Sequence, residues 1–169
     1  MVSFISELAQ IMRNWLPIVV FFLASGLLHG QVQSRLTDYL ETSGTKSEVN
    51  AQAEISELLS KLNSKPRKSD RIFLKSVFSL THRQLLKTYQ QYADFSEIFN
   101  GGRYDCVTAT ALYSLLLEEL GYSHAIYETK YHVFLLVESS EGQFLIESTD
   151  PINGFEYQKE RIKERSGLG

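Results

Sequence analysis

The chain changes its hydrophobic period at Gly121, and that single change restricts what it can fold into. Before Gly121, apolar residues recur at three- and four-residue spacing. After it come three short stretches rich in β-branched and aromatic residues, Ala125 to Thr129, Tyr131 to Glu138 and Gln143 to Thr149. Helices followed by strands predict an α+β domain: a helical N-terminal half, then a core helix packed on a small antiparallel sheet of about three strands. At 169 residues the chain fits one such domain with its own core.

Within the helical part, residues 31–98, Val49, Ala53, Ile55, Leu58, Leu59 and Leu62 mark a helix ending near Ser64-Lys65-Pro66. Asp70 is placed to cap a second helical region carrying Ile72, Phe73, Val77, Phe78 and Leu80. After a break near Thr81, Leu85, Leu86, Tyr89, Tyr92 and Phe95 continue at helical spacing and read as core. The pair Gly101-Gly102 turns the chain. The core region, 99–156, then opens with Asp105 as cap of a helix whose apolar face is Ala109, Leu112, Leu115, Leu116 and Leu120, closed by Gly121. Residues 157–169 form a charged, helical or frayed tail.

Residues 1–30 read differently. Trp15 to Leu28 is uncharged and almost wholly apolar, follows Arg13, and is followed by small residues, the layout of a signal peptide, with an uncleaved membrane anchor as the alternative. It is short for a membrane span, which needs about 20 residues. Export is therefore expected, and contact with a membrane only through this segment. An exported chain with one cysteine forms no internal disulfide, which leaves Cys106 free or paired between molecules.

Net charge is −3 and the basic residues are spread along the sequence, so no nucleic-acid partner is expected. The run Lys65 to Lys68 reads as a solvated linker. Neither a Walker pattern nor a dinucleotide glycine fingerprint is present, and no cofactor is expected.

The chemistry centres on Cys106, in the first turn of its helix, where unpaired backbone N–H groups and the helix dipole favour thiolate and could hold an oxyanion. The neighbouring Asp105 opposes this. If Ser140, Glu141 and Gly142 form a three-residue hairpin loop, His132 pairs with Asp150, Phe134 with Ser148, Leu136 with Ile146 and Glu138 with Phe144. Cβ atoms of such partners lie about 5 Å apart, close enough for a carboxylate to orient an imidazole. Glu147, the rival carboxylate, then points to the other face, and a loop one residue longer or shorter reverses the choice. His124 is a weaker candidate base, and His82 lies in the helical half. Cys106, His132 and Asp150 are thus the candidate catalytic residues.

These residues resemble a known family. Tyr104-Asp105-Cys106 opening a helix that ends in Leu120-Gly121, then Tyr131-His132-Val133-Phe134, then Glu147-Ser148-Thr149-Asp150-Pro151, is similar to the core of the transglutaminase-like superfamily, over about Phe99 to Phe155. The resemblance implies a papain-related fold and acyl transfer through a thioester: Cys106 attacks an amide or ester carbonyl, His132 carries the proton and Asp150 holds the imidazole. Water as acceptor gives hydrolysis and an amine gives cross-linking. In this sequence the separation of Cys106 and His132 is short for the family, and Val133-Phe134 replaces the aromatic usual just after the histidine. The expected function is an exported cysteine peptidase, amidase or transglutaminase-type enzyme acting on protein or peptide amides. The alternatives are a non-catalytic binding or assembly module on the same scaffold and, further off, a zinc site.

Overall fold

The computed structural model describes residues 48–129 and 132–167. The expected signal or anchor segment lies outside the described residues, among which no helix is long and apolar enough to cross a membrane. Helix α1 (Glu48–Asn63) buries Ala51, Ile55, Leu58 and Leu62. That single stripe packs on α2 (Asp70–Gln84), whose buried side includes Phe73, Leu74, Val77 and Phe78.

Beyond α2 the helical spacing misleads. Strand β1 (Thr88–Tyr89) pairs in parallel with β2 (Arg103–Tyr104), and a 3-10 turn (Phe95–Ile98) lies between them. Leu85, Leu86 and Phe95 are buried as expected, whereas Tyr89 and Tyr92 are exposed. The cause is non-local: the N–H groups of Lys87 and Thr88 donate to Gly102 O at 2.8 and 3.0 Å, and Gln90 N donates to Tyr104 O at 2.8 Å. Only glycine permits this approach, because Gly102 has φ +75° and a Cβ there would lie 2.3 Å from Lys87 Cγ.

Helix α3 (Cys106–Glu119) begins and ends as its sequence suggests. Asp105 accepts N–H groups from Val107 and Thr108, and Thr108 Oγ1 accepts the Asp105 N–H, a reciprocal capping box. At the other end Gly121 (φ +80°) reverses the chain while Tyr122 N donates to Leu117 O and Gly121 N to Glu118 O.

Four strands follow, paired antiparallel in sequence order: β3 (His124–Glu128), β4 (Val133–Ser139), β5 (Gly142–Ile146) and the short β6 (Phe155–Glu156). The β4–β5 register runs from Leu135↔Ile146 to Ser139↔Gly142, so the hairpin loop is Ser140-Glu141 alone. The register expected from a three-residue loop is therefore off by one. Leu135, Val137, Phe144, Ile146 and Phe155 join α1, α2 and α3 in the main core. Phe134, Leu136 and Leu145, on the opposite face, are covered by Ile162 of helix α4 (Lys159–Ser166), so the charged tail is docked.

A tertiary contact fixes the short loop. The Glu141 carboxylate accepts from Asp70 N at 2.8 Å, Arg71 N at 3.2 Å and Ser69 Oγ at 2.9 Å, so the hairpin caps α2. Asp70 itself accepts from Tyr122 Oη and Ser140 Oγ instead of capping. The Asp70 and Arg71 amides hold the Glu141 carboxyl below its ordinary value, the sign expected at a helix N-terminus. Glu141→Gln is expected to lower the thermal midpoint and to speed hydrogen exchange at the Asp70 and Arg71 amides; unchanged exchange would remove this cross-chain cap.

Candidate functional site

Cys106 is the first residue of α3 and is half-buried. Burial pushes its thiol up, the Asp105 carboxylate pushes it further, and the backbone N–H groups of Cys106 and Val107 at the sulfur pull the other way, with Glu147 adding a smaller upward push. The net direction is upward, so at neutral pH the resting sulfur is a thiol and needs a base to become a nucleophile. Asp105 is partly occupied, since its Oδ1 accepts from Val107 N, Thr108 N and Thr108 Oγ1 at 2.8 to 3.0 Å. Asp105→Asn keeps an N-cap of equal rank while deleting the charge. Alkylation of Cys106 at pH 7 to 8 is therefore expected to run faster in Asp105→Asn than in the parent, and a rate that falls or stays the same refutes the electrostatic role.

Among the described residues no hydrogen bond joins any two of Cys106, His132 and Asp150. His132 precedes β4, with its backbone N–H donating to Thr129 Oγ1 and its carbonyl accepting from Thr129 N. Its side chain is exposed and lines a cavity of about 200 Å³ with Thr129, Phe134, Leu145, Glu147 and Arg165. Asp150 closes the turn that follows β5: its Oδ1 accepts from Ile152 N at 3.0 Å and Asn153 N at 2.8 Å. The Asn153 amide, seconded by that of Ile152, holds this carboxyl below its usual range.

The shifted register changes which carboxylate faces the histidine. The pairing ends at Leu135↔Ile146, and alternation from Leu145 puts Glu147 on the face of Phe134, where His132 also lines the cavity. Glu147 accordingly lines the His132 cavity, and its Oε2 accepts from Arg165 at 3.2 Å. Its other oxygen accepts from Thr149 N and Thr149 Oγ1. The Glu147 charge also acts on Cys106, Tyr104 and His82, which makes it the carboxylate common to the thiol and the histidine cavity.

A second polar group lies beneath. His82 on α2 is buried, packs edge-on to Phe78 at 4.7 Å and to Tyr104 at 6.1 Å, and has no hydrogen-bond partner among the described residues at either ring nitrogen. Thr110 Oγ1 and Ser148 Oγ are likewise buried without partners. Burial pushes the His82 imidazole down to about 4, against the opposite pull of Glu147 and Asp150. The signal for His82 in the sequence is its spacing of four from Phe78, on the buried stripe of α2. His124, the weaker candidate, is engaged with Ser114 Oγ at 2.7 Å and Tyr122 O at 3.2 Å. Ser114 lies eight residues along α3 from Cys106, roughly 12 Å by helix rise.

The Tyr89 phenol is raised first by burial and then by the charges of Cys106 and Asp105. Among the described residues no group of three or more His, Cys, Asp and Glu side chains is arranged to hold a metal ion. The chain has no match among family models, curated proteins or solved structures.

Proposed function

We propose that this chain is an exported cysteine-dependent acyl-transfer enzyme with a transglutaminase-like, papain-related core, acting on protein or peptide amides. The observation that carries the reading is the place of Cys106: first residue of α3 and only partly buried, at a helix start whose Cys106 and Val107 amides favour the thiolate. Those amides suit both a developing thiolate and the oxyanion of a tetrahedral intermediate. His132 supplies the base. As the sulfur–carbon bond forms, the thiol proton passes to the imidazole and then to the departing amine, leaving a thioester. Attack by water yields a carboxylic acid, and attack by a second amine yields a new amide. Of the two carboxylates that could hold the imidazole, Asp150 is the one implied by the family resemblance and Glu147 the one that shares the histidine's cavity. The apolar segment Trp15 to Leu28 supports action outside the cytoplasm.

The test is acylation by an electrophilic peptide analogue, followed by mass. Cys106→Ala is expected to abolish labelling with the fold intact, and His132→Ala to lower its rate by about 100-fold or more, in line with general-base contributions. Glu147→Gln and Asp150→Asn then rank the carboxylates by the size of the rate loss. The raised thiol favours a second reading, a non-catalytic binding module on the same scaffold. A Cys106 that alkylates slowly, with the same pH profile in parent and His132→Ala, selects it.

A further inference from the structure

We propose that the cleft between α2 and β6 is a docking site for an acidic polypeptide segment carrying an apolar or aromatic side chain. Cations spread along the sequence are gathered here by the helix: Arg71, Lys75 and Arg83 repeat at multiples of four along α2, and Lys65 adds a fourth at its N-terminal end. All four line one cleft of about 440 Å³, and among the described residues no carboxylate lines it. The ion pairs formed among the described residues use other cations, Lys61, Arg103, Arg161 and Arg165. The cleft is therefore a local concentration of positive charge that no described carboxylate pairs, on a chain whose net charge is −3.

Its apolar lining sets the rest of the partner's chemistry. Ile72 is 58% exposed, and Leu80, Phe155 and Tyr157 complete the surface. Arg71 sits 5.0 Å over the Tyr157 ring and Lys75 5.3 Å over that of Phe155, so aromatic faces hold these two of the four cations. A concave site with apolar lining and a cationic rim fits an inserted side chain flanked by carboxylates. A flat anionic surface would meet the rim and leave the apolar lining unfilled.

The experiment measures binding of the full chain to a random glutamate–tyrosine copolymer, to polyglutamate and to phosphatidylglycerol vesicles. The comparison includes Lys75→Glu/Arg83→Glu, the milder Lys75→Gln/Arg83→Gln, and Lys163→Glu as a control on the far helix, with thermal melts showing which variants stay folded. The expected result is copolymer binding tighter than polyglutamate binding, weakened by salt, and about tenfold weaker in the double variants while Lys163→Glu binds like the parent. Copolymer binding that is equal in all folded variants overturns the proposal. So does a loss confined to the vesicles, which would assign the cleft to an anionic lipid surface.

Discussion

Gly154→Ala is expected to cost about 3 kcal/mol of stability, the upper part of the usual range for overpacking a filled site. A Cβ at this position would stand 2.0 Å from Glu147 O and 2.4 Å from Asp150 O, with Phe78 Cζ at 3.0 Å behind them. Both near atoms are backbone, so no rotamer change relieves the overlap. The same two carbonyl-bearing residues are tied to Gly154 by hydrogen bonds, Glu147 N to Gly154 O at 2.7 Å and Gly154 N to Asp150 O at 2.8 Å. Accommodating a methyl group means opening the turn that Asp150 closes and displacing the start of β6, which is packed in the core through Phe155. For a chain of this size the loss corresponds to a fall in thermal midpoint of roughly 6 to 12 °C. Gly121→Ala is the control: nothing lies within 4 Å of its Cβ, and only its φ of +80° is penalised, at about 1 kcal/mol. Equal losses in the two variants would mean that crowding at Gly154 is relieved in solution.

That turn also shows why part of the fold was legible in the sequence and part was not. Features set by neighbours along the chain were readable. The Asp105 cap, the apolar face of α3 and the Gly121 reversal each depend on residues within a few positions of one another. Features set by distant partners were not. Nothing near Leu85 to Phe95 announces that Gly102 will accept two backbone N–H groups there, and helical spacing wins by default. The hairpin failed for the same reason: Gly142 suits a three-residue loop, but Glu141 is drawn across to the N-terminus of α2 and the loop tightens by one residue. A one-residue shift exchanges the faces of the strand, so Glu147 joins His132 while Asp150 turns to its own loop. The place of Cys106 at a helix start rests on a local cap, and the cap is present; the pairing of His132 with Asp150 rested on a three-residue loop, and the loop has two residues.

The second large effect is on pH. Folded His82 stays neutral down to about 4, whereas in the unfolded chain it takes a proton near the ordinary 6.5. Between those values the unfolded state binds a proton that the folded state refuses, so stability falls as pH is lowered through the window, by up to about 1.4 kcal/mol per pH unit. Above the window His82 adds no pH dependence. The groups that face it are the rings of Phe78, Tyr104 and Tyr113 and the charges of Glu147 and Asp150. The two charges favour the protonated form, yet burial outweighs them. Asp150 behaves in the opposite sense: its folded value is depressed, so its stabilisation is present above the ordinary carboxylate range and is lost only as pH falls below it. The two losses therefore come in sequence, histidine first. His82→Phe keeps an aromatic ring and removes two buried nitrogens that have no partner among the described residues. Thermal midpoints measured from pH 7 to 4 are expected to fall steeply in the parent and to stay nearly level in the variant until the carboxylates titrate. A parent that is level over the same range would show that the imidazole is solvated or hydrogen-bonded in solution, and parallel curves for the two proteins would assign the acid sensitivity to other groups.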